Sequence, residues 1–327
     1  MFNSNSLGSL SEIQNSRQRN TISREEYWGH IQRALLQIEE LSVISKSNLF
    51  TLEINETGLL LKFKLGLYSK KYLGRTDSMK LYVDPADMRT APMMIIADGK
   101  YENFQSDLLV GLCELSANFA DIGANVGFYT TLASLVNPNL EIIAFEPNPS
   151  VYTTLRANLS LNESGKNVVC INSGLGDKET TENLFIPPKS GTAAGSLMNL
   201  HPEEGLQGSI PVVIQTLDAN YSHIAFDLLK IDVEGFELSV LRGAGQQINN
   251  SHPTVVIELL RKWMKPFGNS PQDVVKLFSE RNYICYAIER GVLTEILVID
   301  DSTVETNFIF VHPSKSDHVE FLKSFVL

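Results

Sequence analysis

Five carboxylates stand in short, distinctive surroundings: Asp121 in FADIGANVGFYT (119–130), Glu146 in AFEPNP (144–149), Asp177 in SGLGD (173–177), and Asp232 with Glu234 in KIDVEG (230–235). The first stretch sets an acid ahead of two glycines and an asparagine, then continues into small and apolar residues. That pattern suits a strand that ends, turns sharply at Gly123 and opens a helix near Asn125, with Gly127 allowing close approach of a ligand and the first N–H groups facing it. A dinucleotide site needs G-x-G-x-x-G, but here Asn125 takes the second glycine position and Phe128 the third. An acid at the strand end instead suits S-adenosylmethionine (SAM), which carries an ammonium and a sulfonium but no phosphate. Glu146, 25 residues after Asp121, suits a carboxylate accepting both ribose hydroxyls, a feature shared with NAD sites. Asp177 is read as the acceptor of the adenine amino group, with a turn acid before Lys178 as the alternative. The candidate cofactor residues are Asp121, Gly123, Ala124, Asn125, Gly127, Phe128, Glu146, Pro147, Asn148, Gly176 and Asp177.

Methyl transfer to a hydroxyl needs in-line approach and removal of a proton. Asp232 and Glu234 at the end of FDLLKID, and Glu258 at the end of PTVVIELL, are the candidate catalytic carboxylates. The alternatives are structural: Glu234 capping the next helix or pairing with Lys230, and Asp232 bracing its own loop. Nothing in the spacing demands a metal. His201, in the Gly-, Ser- and Pro-rich loop 187–209, is read as solvated or as touching an acceptor, and Arg261 and Trp263 as bordering one.

These residues must be carried by elements. From about Asp107 the chain alternates: DLLVGLCELSA helical, NFADIG a strand, Asn125 to Val136 helical, EIIAFEP a strand, SVYTTLRANLSLN helical, VVCINSG and FDLLKID strands, FELSVLRGAGQQI helical, PTVVIELL a strand, SPQDVVKLFSERN helical, then the strands YICYAIE and NFIFVH. Alternation of this kind predicts a doubly wound α/β domain with a mainly parallel sheet, whose ligands sit beyond the strand ends near the switch point. Upstream, 1–22 reads as a flexible tail. Residues 23–105 read as an extension comprising an amphipathic helix over 23–45, which includes Trp28, and a hairpin around Asn55–Gly58; the catalytic domain is expected over 106–327.

DIGANVGFYT, AFEPNP and LLKIDVEGFELSVLRGA resemble the FkbM family of SAM-dependent methyltransferases over roughly residues 89–260, with Arg89 and GKYE (99–102) similar to a region ahead of that family's core. The resemblance implies a class I, Rossmann-like methyltransferase fold and, most often, O-methylation of a hydroxyl on a sugar or natural product. N-methylation of a peptide amide is the alternative. From other classes, an NAD-dependent dehydrogenase and a non-catalytic SAM-binding module compete. The acceptor is thus a small molecule, a glycan or a peptide.

Composition narrows the field. A net charge of −11 in 327 residues, with no run of Lys or Arg, speaks against nucleic acid or a membrane surface as partner. Cys113, Cys170 and Cys285 are too dispersed for a disulfide framework or a thiolate metal site. The polar start and the lack of an apolar run of ~18 residues predict a soluble cytoplasmic protein. Oligomeric state does not follow from the sequence.

Overall fold

The computed structural model of the chain describes residues 50–55, 58–64, 78–84, 87, 89–98, 101–188, 191, 194–202 and 208–326. The tail expected over 1–22 and the helix expected over 23–45 lie outside them. The chain divides into two compact units, Met1–Tyr101 and Glu102–Leu327. In the first, β1 (Phe50–Asn55) and β2 (Gly58–Lys64) form the expected antiparallel hairpin, and β3 (Ser78–Tyr82) adds to β2. Leu61 and Phe63 of β2 and Met79 and Leu81 of β3 are buried, the period-2 alternation of a one-sided sheet. The helix α1 (Ala91–Asp98) follows.

The second unit runs α2 (Asn103–Glu114), β4 (Asn118–Ile122), α3 (Phe128–Val136), β5 (Glu141–Phe145), α4 (Pro149–Leu161), β6 (Val168–Ile171), β7 (Gly174–Leu175), β8 (Thr180–Phe185), β9 (Ser209–Gln215), α5 (Leu217–Tyr221) and β10 (Leu228–Ile231). It continues through α6 (Glu237–Gly243), α7 (Gly245–Ser251), β11 (Thr254–Glu258), α8 (Arg261–Met264), α9 (Pro271–Ser279), β12 (Ile284–Ile288), β13 (Leu293–Glu295), β14 (Asn307–Val311) and α10 (Ser316–Lys323). Eight strands form one sheet in the order β13-β12-β14-β11-β10-β4-β5-β6. The five from β11 to β6 are parallel, and β14 runs antiparallel between β11 and β12. This is a class I, Rossmann-like methyltransferase fold.

Its chain winds outward from β4 through β5 to β6 and then returns to β10 on the other side of β4. The order therefore reverses between β4 and β10, where the carboxyl ends of both strands open a crevice. Sheet parity decides what faces each layer. Ala120, Ile122, Leu229, Ile231, Val255 and Ile257 pack in one core cluster with Leu217 of α5, Leu238 and Leu241 of α6 and Phe278 of α9. Asp121, Lys230 and Glu258 alternate with them, so they belong to the opposite face of the sheet.

Three local departures from the sequence expectation have physical causes. The helix expected from Asn125 begins at Phe128, because Asn125 (φ 51°) and Gly127 (φ 82°) are both left-handed and hold the chain in a turn. The single helix expected over 236–248 is two helices, α6 and α7, meeting at Ala244. There Gly243 lies so close to the Gly176 carbonyl that a Cβ would sit 1.8 Å from its oxygen. The expected alternation also omitted β8 and β9, which pair antiparallel in a separate three-stranded sheet ordered β7-β9-β8. Among the described residues, no helix is long and apolar enough to cross a membrane.

Candidate active site

The stretch Gly123–Gly127 turns back on the end of β5. The N–H groups of Gly123 and Ala124 both donate to the Phe145 carbonyl, at 3.0 and 2.9 Å, and that of Gly127 donates to the Ala124 carbonyl. Asn125 N–H donates to Glu146 Oε2 at 2.9 Å and Val126 N–H to Asn125 Oδ1 at 2.6 Å. Every N–H from 123 to 127 is thus consumed within the protein, so none of these five is left over for a ligand. The cause is the pair of left-handed residues, which aim these donors at β5 and its following turn. A loop of this kind offers no phosphate cradle.

Glu146 is buried, and its Oε1 accepts the N–H of Asn148 at 2.9 Å, so one carboxylate ties two loops together. Each oxygen retains a lone pair for a further donor. Burial pushes the Glu146 carboxyl up to about 7, against the two backbone N–H bonds that favour its charge. Asn148 caps α4 through Oδ1. Asp121 is fully buried, and its Oδ2 accepts from Thr130 Oγ1 at 2.5 Å. Burial raises its carboxyl, opposed by Lys230 and Thr130. Two buried polar atoms of candidate cofactor residues, Asp121 Oδ1 and Asn148 Nδ2, have no hydrogen-bond partner. Asp177 is exposed, two residues beyond β7, with its N–H on Ser239 Oγ at 3.2 Å. The residues that directly follow β6 are Asn172 and Ser173, and Asn172 Nδ2 donates to the Glu146 carbonyl at 2.8 Å.

Across the switch point the acids converge. Lys230 is the register partner of Asp121, is almost fully buried, and places Nζ 3.2 Å from Asp232 Oδ2. Its ion pair is with Asp232 because residues two apart on a strand share a face. Glu258 stands at the end of β11; burial, then the charges of Asp232 and Glu102, push its carboxyl up to about 9, with Lys230 opposing. Glu102 itself comes from the turn ahead of α2, at φ 42°. Its Oε2 accepts from the Tyr129 phenol and from Gln105 Nε2 at 2.9 Å, and Ser106 Oγ donates to the same phenol at 3.3 Å. The Tyr129 ring lies 5.1 Å from Lys230 Nζ. Sequence reasoning missed Glu102 and Tyr129 as members of this group, although GKYE and DIGANVGFYT, both in the region of resemblance, contain them. Among the described residues, no group of three or more His, Cys, Asp or Glu side chains is placed to hold a metal ion.

The turn after Asp232 is tightly specified. The Asp232 N–H donates to the Ile122 carbonyl at 3.0 Å. A Cβ on Gly123 would lie 1.9 Å from the Asp232 carbonyl oxygen, so the two loops touch backbone to backbone. Glu234 is left-handed (φ 55°), and its carbonyl accepts from Ser196 Oγ at 2.8 Å. Gly235 packs on the backbone of α8, where a Cβ would meet the Trp263 carbonyl oxygen at 2.4 Å. His201, expected either in solvent or touching an acceptor, is buried against Trp263 with ring centroids 6.2 Å apart. The segment between β8 and β9 thus reaches the KIDVEG turn at Ser196 and the helix beyond Glu258 at His201.

Glu237 was also missed. It is buried, accepts the Gly235 N–H at 2.9 Å, and has an unpartnered Oε2; burial pushes its carboxyl up to about 7. A carboxyl raised from about 4.5 to about 7 on folding binds its proton more tightly in the native state, so stability falls as pH rises through that window. Glu237→Gln removes the penalty of burying the anion. We expect the drop in melting temperature between pH 5 and pH 8, read by circular dichroism, to narrow in this variant. An unchanged drop would show that Glu237 is not the group titrating.

The model of the methyltransferase FkbM domain matches residues 121–285, half of the chain. Methyltransferase sdnD of Sordaria araneosa is 28% identical over 204 residues, which span 53% of this chain and 76% of that protein. The hexuronic acid methyltransferase AglP of Haloferax volcanii is 27% identical over 165 residues, spanning 49% of this chain and 60% of that one. The crystal structure of methyltransferase FkbM from Methylobacillus flagellatus KT superposes with a TM-score of 0.38 at 17% identity, over 60% of this chain and 44% of that chain, less than half its length.

Proposed function

Since this chain belongs to the FkbM methyltransferase family, we propose that it is a SAM-dependent O-methyltransferase acting on a hydroxyl of a sugar or natural product. The observation that carries this reading is the Asp232 carboxylate, set just beyond the end of β10 at the switch point, 3.2 Å from Lys230 Nζ and with its backbone against Gly123. A hydroxyl is a poor nucleophile until its proton has somewhere to go, and a carboxylate beside the cofactor loop is such a place. A sugar acceptor is further supported by the name of the Haloferax volcanii relative.

The residues fit the cofactor. A loop without free N–H donors suits a molecule without phosphate. The unpartnered Asp121 Oδ1 suits an ammonium, and the spare lone pairs of Glu146 suit two hydroxyls. Gly123, Ala124, Asn125, Gly127, Phe128, Pro147 and Asn148 surround these two acids. Asn172 and Ser173 stand closer than Asp177 to the end of β6 in sequence and share the adenine side in this reading. When bound, the cofactor supplies an electrophilic sulfonium methyl. Asp232 accepts the acceptor's hydroxyl proton at a carboxylate oxygen, Lys230 holds Asp232 in place through their ion pair, Glu258 supplies a second carboxyl at the end of β11, and Glu234 fixes the turn through its carbonyl.

Calorimetric titration with SAM and with NAD, followed by mass spectrometry of a hydroxyl-bearing acceptor panel, tests the proposal. SAM binding and an O-methyl product are expected; NAD binding alone, or methyl on an amide nitrogen, would overturn it. Glu146→Ala should weaken SAM binding by about 1–3 kcal/mol, through loss of charged hydrogen bonds and of the tie between the two loops. An unaltered dissociation constant in the folded variant would place Glu146 outside the cofactor site.

A further inference from the structure

We propose that Tyr129 is a positioning residue for the proposed methyl transfer: its ring and its hydroxyl together direct the buried Lys230 ammonium onto Asp232. This rests on the reading of Asp232 as the proton acceptor.

A lysine ammonium is a point charge on a flexible stem with three donors, so its surroundings set its direction. Lys230 is 3% exposed and cannot turn to water. Carboxylates stand on several sides of it: Asp232 just beyond its own strand, Asp121 in register on β4, and Glu102 ahead of α2. Burial alone would depress the ammonium, but these three carboxylates together hold it above its ordinary value. Attraction by charge therefore does not select one of them. The hydrogen bond nonetheless goes to Asp232 Oδ2, at 3.2 Å.

Two consecutive residues at the start of α3 make the selection. Thr130 Oγ1 donates to Asp121 Oδ2 at 2.5 Å, and the Tyr129 hydroxyl donates to Glu102 Oε2. Each rival carboxylate thus already has an oxygen engaged by a neutral donor. The phenol proton is committed to Glu102, because the phenol oxygen itself receives Gln105 Nε2 at 3.4 Å and Ser106 Oγ at 3.3 Å. The Tyr129 ring is buried and lies beneath the ammonium, with Nζ 5.1 Å from its centroid. A phenol that gives its proton to a carboxylate has a more electron-rich ring, and such a ring attracts a cation more strongly. Lys230 is thereby held between the ring face and Asp232. Phenylalanine would keep the ring and release Glu102; leucine would remove both the ring and the tie.

The test is steady-state kinetics at saturating SAM with the acceptor varied. Tyr129→Phe should lower turnover by about tenfold and Tyr129→Leu by about 10²-fold, the scale for a misplaced reacting group, while SAM affinity and the acceptor KM stay within a few-fold. If the leucine variant does not fold, phenylalanine, which keeps the packing, carries the test. The decisive comparison is a double-mutant cycle. Residues that act through one another are not additive, so Tyr129→Phe should change turnover no further in a Lys230→Met background. Additive losses, or turnover within twofold of wild type in the single variants at 129, overturn the proposal. Asp232→Asn separates this failure from failure of the underlying reading: if that variant turns over within a few-fold of wild type, Asp232 is not the base, whatever Tyr129 does.

A second readout needs no turnover and does not depend on the role of Asp232. Crystal structures of the variants at 129 should show Lys230 Nζ drawn from Asp232 Oδ2 toward Glu102. An ammonium still hydrogen-bonded to Asp232 as in the wild type overturns the proposal.

Discussion

Asp232→Asn is expected to lower turnover by about 10²–10⁴-fold while SAM affinity stays within a few-fold of wild type. Asparagine matches the shape of the carboxyl and can still accept a hydrogen bond from Lys230, but it cannot take a proton. The variant therefore separates proton removal from positioning. With a hydroxyl acceptor, the defect should shrink at high pH, where the acceptor ionises unaided. If Asp232 only braced the turn, asparagine would stay nearly active and Asp232→Ala would be much worse. The structure also sets a secondary effect: losing the anion leaves Lys230 with Asp121 and Glu102 as its charge partners, so some loss of stability should accompany the loss of turnover. A single-turnover assay with labelled SAM decides the matter. A rate within a few-fold of wild type would remove Asp232 from the base role and turn attention to Glu258.

The second large effect is expected at Gly123. Its φ of 80° already disfavours a side chain, by roughly 1–2 kcal/mol. A Cβ there would meet the Asp232 carbonyl carbon at 2.9 Å and its oxygen at less than a van der Waals contact. Backbone cannot rotate away as a side chain can, so Gly123→Ala must push the β4 and β10 turns apart. We expect a destabilisation of roughly 2–4 kcal/mol, the range for strained positions with a steric conflict, together with loss of both SAM binding and turnover. Gly127→Ala provides the control. It has a similar φ of 82°, but its Cβ would meet the tip of the Leu155 side chain, which can repack. The cost there should be close to the backbone term alone. A Gly123→Ala protein with wild-type melting temperature and SAM affinity would mean that the two turns do not touch as described.

These outcomes show why some of the site is legible in the sequence and some is not. Asp121, Gly123, Glu146 and Asp232 can be picked out because each lies at the end of a strand in a short, local pattern. The reason for a glycine at 123, however, is the Asp232 carbonyl from a strand more than 100 residues away, and no local pattern carries that. Glu102 is similar. It reaches the site only because α2 returns beside α3, where Tyr129 meets it. Glu237 lies two residues beyond KIDVEG, yet nothing in its type separates a buried acid from the exposed one expected at a helix start. The mainly parallel sheet follows from alternation, whereas β8 (TTENLF) is mostly polar and β9 (SIPVVIQ) carries a proline, which argues against a strand, and the two flank a Gly-, Ser- and Pro-rich loop. Of the two readings of His201, solvated or touching an acceptor, burial excludes the first: Trp263, supplied by another part of the chain, packs against it.

The three-stranded sheet has a consequence for how such an enzyme changes over evolutionary time. The segment 186–208 leaves from β8 and returns on β9, and neither strand belongs to the sheet that carries the acids. Insertions, deletions and wholesale replacement there leave the register of β4, β10 and β11 untouched. Among the described residues it meets the KIDVEG turn through a hydroxyl on a carbonyl, Ser196 to Glu234, and α8 through a ring contact, His201 to Trp263. Such attachments are easily re-created by other sequences. On the proposed function, selection rewrites the acceptor preference by drawing on one segment, while the carboxylates at the ends of β4, β10 and β11 are inherited intact.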